Sequence, residues 1–356
     1  MGDFHLLIVN PGSTSTKIAV YDGDQEVHKV VLRHSPEELS GFSDILEQHL
    51  FRKEAIYSAL RELGEDLHSY AAIVGRGGLC KPIPSGVYEV NAQMLEDLRH
   101  SVLGKHASSL AGLIAHEIAK DLGVRSFIVD PPMVDEMEPM AHISGLPEMA
   151  RKSLFHALNQ KAAARKAAGL IGRPYEELNL IVAHLGGGIT VGAHRRGRVV
   201  DVNNGLEEGP FSPERSGTLP AGDLVRLCFS GRYTEKEILR KIAGRGGLVA
   251  YLGTNDGQAI ENMIAQGNEE AALFYGAMAY QISKEIGACA AVLCGKIDGL
   301  VLTGGLAASE MIYGWIKERV AFLGPIFVFP GEFELEGLAA GALRVLRGQE
   351  KVKIYR

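Results

Sequence analysis

The chain has 356 residues, of which 46% are hydrophobic and 22% are charged, as expected of a globular protein with room for two domains. A formal net charge of -6 gives no reason to expect a nucleic acid or an anionic membrane as partner. The four cysteines form no CxxC pair, and no signal peptide or long apolar run is recognisable. We therefore expect reduced thiols and a cytoplasmic protein.

The first predicted elements are three strands that alternate with tight turns. Residues 6–31 read LLIVNPGSTSTKIAVYDGDQEVHKVV, in which a serine–threonine turn (residues 12–16) separates the first two strands. Its small residues leave backbone N–H groups open to an anion, and its hydroxyls and a following lysine add further contacts. The candidate contacts are Asn10, Gly12, Ser13, Ser15 and Lys17.

The rest of the first half alternates helices and strands. The pattern predicts a helix that begins with Ser35 as N-cap, strands at 71–74, 87–90 and 126–129, and a helix over 106–122. Two polar residues directly follow predicted strands: Arg76 lies in a glycine-rich loop and Asp130 precedes two prolines. In an α/β domain, ligands bind at the carboxyl ends of strands, so both residues are candidates for a binding site.

A helical, alanine-rich segment over 149–170 leads into the second half, which repeats the order of the first. Residues 180–202 read LIVAHLGGGITVGAHRRGRVVDV, where His184 takes the place of Asn10 and a glycine turn (residues 186–188) replaces the serine–threonine turn. Helices follow, then a strand at 300–302, a helix at 307–322, a strand at 326–329 and a helix from 334. The further candidates are Gly186, Gly187, Gly188, Arg215, Gly304 and Gly305.

Two matched turns, half a chain apart, indicate that a whole domain is duplicated. We predict an α/β protein with domains at 1–150 and 151–334, the C-terminal helix (335–356) packing back on the first domain. A nucleotide is expected in the cleft between the halves. Walker, dinucleotide and protein-kinase motifs and clusters of metal-binding Cys and His are not present in the sequence, so phosphate binding falls to the two turns.

These motifs together resemble the acetokinase family, within the superfamily of acetate and sugar kinases, heat-shock chaperones and actin. The resemblance covers essentially the whole chain and rests on six motifs: VNPGSTSTK, GRGG, VDPP, AHLGGGI, SPERSGTLP and TGGLA. It implies two duplicated actin/ribonuclease-H-like domains, each a three-stranded meander followed by alternating helices and strands. It also implies an enzyme that uses ATP and Mg²⁺ and forms a homodimer or a larger homo-oligomer.

The resemblance also assigns roles to residues of this chain. Asn10, Ser13, Ser15 and Lys17 match the first phosphate motif, and His184 with Gly186 to Gly188 matches the second. The implied catalytic residues are Arg76, Asp130, His156 and Arg215, with His106 as a further histidine at the substrate. Asp130 and Glu334 are the implied magnesium carboxylates, although Glu332 and Glu336 lie close enough in sequence to be alternatives to Glu334.

The expected reaction is reversible transfer of the ATP γ-phosphoryl group to the carboxylate of a short acid. NPGSTSTK and HLGGG differ from the acetate-kinase versions of these motifs, which moves the expected acid from acetate to butyrate or a related short or branched acid. Two alternatives stay open: a sugar or polyol kinase that uses Asp130 as base, and a non-metabolic ATPase of the actin or chaperone type.

Overall fold

The computed structural model describes residues 4–100 and 107–356. The chain divides into two compact units, the first formed by residues 1–135 and 333–356 and the second by residues 136–332. The strands are β1 (His5–Pro11), β2 (Ser15–Asp22), β3 (Gln25–Arg33), β4 (Ala72–Gly75), β5 (Val87–Glu89), β6 (Arg125–Val129), β7 (Asn179–Leu185), β8 (Ile189–Arg195), β9 (Arg198–Val202), β10 (Gly299–Gly304), β11 (Ile326–Pro330) and β12 (Lys353–Ile354).

Helices alternate with these strands. They are α1 (Pro36–Ser40), α2 (His49–Glu62), α3 (Ala92–His100), α4 (Ser109–Leu122), α5 (Ala157–Ile171), α6 (Ala221–Cys228), α7 (Glu235–Ile242), α8 (Gly247–Leu252), α9 (Gly257–Ala265), α10 (Glu269–Val292), α11 (Glu310–Val320) and α12 (Glu334–Leu346). In the part of the chain that the structure describes, no helix combines the length and the apolar character needed to cross a bilayer.

The sheet of the first unit has the strand order β12-β5-β6-β4-β1-β2-β3. β1 to β3 form an antiparallel meander, and β1, β4 and β6 run parallel to one another. α4 and α12 both pack on these parallel strands, whose central residues, such as Ile8, Ile73 and Phe127, are completely buried. The C-terminal helix thus belongs to the first unit.

The second unit repeats this arrangement in a sheet ordered β11-β10-β7-β8-β9. β7 is antiparallel to β8 and parallel to β10, as β1 is to β2 and β4. Small residues of α5, among them Ala163 and Ala167, pack on Leu180 and Val301 at one sheet face. Side chains of α10 and α11, with those of β7, β8 and β10, form the larger core. The matching strand orders agree with the predicted duplication.

Some details differ from the sequence prediction. The helix expected from residue 149 begins only at Ala157, because Arg151 ties the preceding segment to the carboxylates of Asp201 and Glu208 and to the carbonyl of Val202. The first unit ends at Asp135, earlier than the expected 150, since the Glu138 N–H donates to the carbonyl of Val200 in the second unit's β9. The sequence analysis had not predicted α3 and β12.

Candidate functional site

In the first unit, three predicted residues meet at the carboxyl ends of β1 and β4. Arg76, directly after β4, forms an ion pair with Glu334, the first residue of α12, with 2.6 Å between Nη2 and Oε1. The Asn10 amide donates to the other oxygen of Glu334 at 2.7 Å. Of the three glutamates that the sequence left open, Glu334 is the one held against Asn10 and Arg76. Its carboxylate sits at a helix N-terminus, where negative charge is favoured.

Asp130 ends β6 in a conformation that few non-glycine residues adopt. Its φ is +39°, in the left-handed region, and only 5% of the residue is exposed. The Gly86 N–H donates to Oδ1 at 2.7 Å, and the Asp130 N–H donates back to the Gly86 carbonyl at 3.1 Å. Backbone strain of this kind concentrates at functional positions. The carboxylate is therefore fixed in direction by the loop before β5.

A buried arginine holds the serine–threonine turn from behind. Arg52 of α2 is 0% exposed and donates through Nη1 to the carbonyls of Gly12 and Ser15, at 2.8 and 2.9 Å, and through Nη2 to that of Ser13 at 2.8 Å. Burial lowers the pKa of Arg52 to about 10, so it keeps its charge at neutral pH. With three carbonyls directed at Arg52, a positive charge lies directly behind a turn that is predicted to bind phosphate.

The sequence analysis missed Arg52, although a signal was present. It lies on one helix face with Ile56 and Leu60, four and eight residues further on, both completely buried. A basic residue in line with buried apolar residues is costly to bury without partners. A basic residue on an apolar helix face therefore predicts a buried cation that interacts with polar groups of the interior.

In the second unit, the imidazole rings of two predicted histidines are stacked. His156, which precedes α5, and His184 of β7 stack with centroids 3.8 Å apart and an interplanar angle of 14°. His184 pairs through Nδ1 with Asn159 Oδ1 at 2.8 Å, and His156 pairs through Nδ1 with the hydroxyl of Thr190 at 3.0 Å. Thr190 is opposite His184 in the β7–β8 register, so both sit on the same sheet face. β7, β8 and the start of α5 thus carry interacting polar side chains in the second unit, as β1 and α12 do in the first unit.

The glycine turn is shaped around Arg215. A Cβ atom added to Gly188 would lie 2.1 Å from Arg215 Nη1, so only glycine fits while the guanidinium keeps this place. Arg215 Nη1 also donates to the carbonyl of Gly205, and burial lowers the pKa of Arg215. The Ser212 hydroxyl donates to the carbonyl of Gly187 at 2.6 Å and fixes the turn. A cation thus lies against each of the two predicted phosphate turns: the buried Arg52 in the first unit and the half-buried Arg215 in the second.

A cavity of about 690 Å³ opens beside the glycine turn. This volume is in the range of pockets that bind nucleotides and other small molecules. Gly305 lines the cavity, whereas Gly304, with φ +91°, packs against the backbone of Leu185. The lining residues are Gly186, Gly187, Pro213, Glu214, Asn255, Asp256, Gly257, Gln258, Glu261, Tyr275, Gly305, Leu306, Ala308, Ser309 and Glu310.

The carboxylates of the first unit suit a Mg²⁺ ion that is shared with phosphate. Over residues 4–100 and 107–356, no group of three or more His, Cys, Asp or Glu could enclose a metal. Mg²⁺ is usually held by one or two carboxylates together with waters and substrate phosphates. The two predicted carboxylates of this kind stand at the end of β6 (Asp130) and at the start of α12 (Glu334). Of the other predicted residues, Lys17 lies opposite Asn10 in the β1–β2 register, and His106 lies outside the described residues.

Known proteins share both sequence and fold with this chain. The sequence model of the acetokinase family matches residues 145–326. The chain is 54% identical to Butyrate kinase 2 of Clostridium acetobutylicum over 354 residues, which cover 99% of both chains.

Solved structures confirm the predicted actin-like α/β fold. The chain is similar to the acetate kinase of Porphyromonas gingivalis with a TM-score of 0.81 and 21% identity, covering 96% of this chain and 100% of the other. It is similar to a propionate kinase of Francisella tularensis with a TM-score of 0.76 and 20% identity, covering 94% and 98%. From the shared sequence and the shared architecture, the chain belongs to the acetokinase family.

Proposed function

We propose that this chain is an ATP- and Mg²⁺-dependent kinase that phosphorylates butyrate, or a related short or branched acid, to the acyl phosphate. The observation that carries this proposal is the 54% identity to Butyrate kinase 2, which extends over 99% of both chains. The two turns backed by cations and the cavity of about 690 Å³ suit ATP. The reaction is placed in the cytoplasm, where ATP is supplied.

The acceptor chemistry explains which side chains the reaction needs. A carboxylic acid with a pKa near 4 to 5 is already ionised at neutral pH, so its oxygen attacks the γ-phosphorus without a general base. The new bond joins the carboxylate oxygen to phosphorus as the bond from phosphorus to the ADP oxygen breaks, and ADP leaves with those electrons. The barrier comes mainly from bringing two anions together.

Arginine and histidine side chains lower that barrier. In the proposal, Arg76 and Arg215 neutralise charge on the transferring phosphoryl group, and His156 donates a hydrogen bond to it. Bound Mg²⁺, held by Asp130 and Glu334, would supply further charge neutralisation at the phosphates. The nucleotide is bound by Asn10, Gly12, Ser13, Ser15, Lys17, His184, the glycines at 186–188 and Gly305, with Gly304 shaping the turn that presents Gly305.

The acyl group is proposed to lie near Asp130, beside the loop before β5. This loop contacts Asp130 through Gly86, and it carries Ile83, which bridges to the buried Val134. Apolar side chains here suit a short hydrocarbon chain. One methylene changes binding by only about 1–3 kcal/mol, so neighbouring acids are expected to be used as well.

A hydroxylamine-trapping assay for acyl phosphate tests the function. The purified protein is incubated with ATP and Mg²⁺ and with each straight acid from formate to hexanoate, isobutyrate and isovalerate. We expect the highest kcat/KM with butyrate or a branched acid. No acyl phosphate with any acid, together with phosphorylation of a sugar or polyol, would instead establish the sugar-kinase alternative, with Asp130 as base.

The chain is also proposed to act as a homo-oligomer. Several large apolar side chains of the second unit are strongly exposed, including Val225, Phe229, Leu239 and Tyr251. These four residues lie on or directly after three consecutive helices, α6 to α8, and large exposed apolar side chains suit a protein–protein contact. Light scattering on a sizing column measures the assembly, and a mass equal to the 38.4 kDa chain would contradict the proposal.

A further inference from the structure

A chain of hydrogen bonds connects five polar side chains in the second unit. The Tyr175 hydroxyl pairs with His194 Nδ1 at 2.8 Å, and His194 Nε2 pairs with Gln160 Oε1 at 3.0 Å. Gln160 Nε2 lies 2.9 Å from the Thr190 hydroxyl, which lies 3.0 Å from His156 Nδ1. His194, Gln160 and Thr190 are completely buried, so the chain reaches from the protein interior to a predicted catalytic histidine.

The direction of these hydrogen bonds is fixed at Gln160. Its Nε2 also lies 3.0 Å from the backbone carbonyl of Thr190, which only accepts, so this atom is the amide nitrogen and Oε1 faces His194. His194 Nε2 therefore carries a proton and donates it. Burial lowers the pKa of His194 to about 3, so the ring is neutral and its Nδ1 accepts from Tyr175.

The hydroxyl of Thr190 determines which nitrogen of His156 carries the proton. The Thr190 hydroxyl oxygen accepts from Gln160, and its own proton needs an acceptor because Thr190 is 0% exposed. Within residues 4–100 and 107–356, the acceptor in reach of that proton is His156 Nδ1. A neutral imidazole that accepts at Nδ1 carries its proton on Nε2.

We propose that Gln160 and Thr190 are positioning residues that hold His156 as the neutral tautomer protonated on Nε2. His156 then donates a hydrogen bond to the transferring phosphoryl group as a neutral ring and does not act as a cation. This inference rests on the proposed function for the identity of the phosphoryl group. The tautomer assignment itself is drawn from hydrogen bonds within the second unit. A neutral donor stabilises charge that develops in transfer without binding the ground-state phosphates more tightly.

Thr190→Val tests the inference, since it removes the hydroxyl and keeps the shape of the side chain. Mutating a residue that orients a functional imidazole commonly lowers activity by about 10- to 100-fold, so we expect kcat to fall by about that factor. We expect KM for ATP to change less than about threefold, since the contact serves the transition state. Thr190→Ser, which keeps the hydroxyl, is expected to restore most of kcat.

Long-range ¹H–¹⁵N spectra of histidine-labelled protein report the tautomer directly and do not depend on activity. His156, assigned with a His156→Gln variant, is expected to show a protonated Nε2 in the wild type and in Thr190→Ser, and to lose this single pattern in Thr190→Val. Tyr175→Phe removes a hydroxyl at the other end of the chain and is the matched control. It should leave the His156 pattern intact, because the Thr190 carbonyl still orients Gln160.

Each outcome has one meaning. A wild-type His156 protonated on Nδ1, or an unchanged pattern in Thr190→Val, overturns the proposed positioning. A changed tautomer with an unchanged kcat shows that His156 does not act as the donor. A wild type that gives the expected pattern but makes no acyl phosphate refutes the proposed function and leaves the tautomer assignment standing.

Discussion

Replacing Arg52 by methionine removes the buried cation behind the serine–threonine turn and leaves the turn carbonyls without their donor. Arg52 donates to three carbonyls at 2.8–2.9 Å, and a hydrogen bond from a charged donor contributes about 1.5–3 kcal/mol. Ser13 and Thr14 are exposed and the turn can hydrate in part, so we expect a total loss of about 3 kcal/mol, less than the simple sum. For a unit of this size the midpoint of thermal unfolding should fall by about 6–12 °C.

The same variant is expected to bind ATP less tightly, because the turn loses both its shape and a nearby positive charge. We expect KM for ATP to rise at least about tenfold, equivalent to 1.4 kcal/mol, with a smaller change in KM for the acid. Thermal unfolding by circular dichroism and steady-state kinetics measure the two effects.

Lys53→Met at the neighbouring position is the matched control. Lys53 pairs with Asp121 near the surface at 2.8 Å, an interaction that contributes only about 0–1 kcal/mol. If Arg52→Met unfolds at the same temperature as Lys53→Met and keeps the wild-type KM for ATP, then Arg52 does not support the turn and the reasoning is wrong.

Three further predictions address the other groups. Glu334→Gln should raise the Mg²⁺ concentration for half-maximal activity at least about tenfold, because it weakens the carboxylate pair, whereas Glu336→Gln should resemble wild type in the same titration. Gly188→Ala should displace the Arg215 guanidinium and lower kcat about 100-fold in steady-state assays; a normal kcat would contradict this. Because the pKa of His194 is depressed, only the unfolded chain takes up a proton at this residue just below pH 6.5. The free energy of unfolding should therefore fall by up to about 1.4 kcal/mol per pH unit below pH 6.5. Urea titrations at pH 7 and 5 measure this slope, which should be smaller in His194→Gln.

Local patterns were sufficient to predict much of the fold. The strands β1 to β3 and β7 to β9 follow from alternating apolar residues and turn signals within each segment, and Ser35 forms the predicted capping box with Glu38. The predicted helix over 149–170 begins late, because the interactions of Arg151 with distant residues override the local helix preference. β12 is only two residues long and is defined by its pairing with β5, which a local pattern does not reveal.

The residues of the candidate site likewise divide into those that local sequence patterns predict and those that depend on distant contacts. Arg76 and Asp130 are found in the sequence because they follow predicted strands, positions that are recognisable without coordinates. Glu334 was predicted from the resemblance to the acetokinase family, which left Glu332 and Glu336 as alternatives. Gln160 was not found, since it looks like an ordinary residue in an alanine-rich helix and acquires its meaning from Thr190 and His194 on β8. Residues that bind a ligand thus leave a signal in the sequence, whereas residues that orient them depend on the folded neighbourhood.

The first unit is made from two segments that flank the second unit in sequence, and this sets an order on synthesis. α12 and β12 are translated after the whole of the second unit. Glu334 begins α12, and Tyr355, directly after β12, donates its hydroxyl to Asp97 at 2.7 Å. Closing the unit across so long an insertion adds little entropic cost, because that cost grows only with the logarithm of loop length. A nascent chain on the ribosome therefore cannot form the Arg76–Glu334 ion pair until residue 334 emerges. A product that terminates before residue 334 therefore lacks the Arg76–Glu334 ion pair together with α12 and β12 of the first unit.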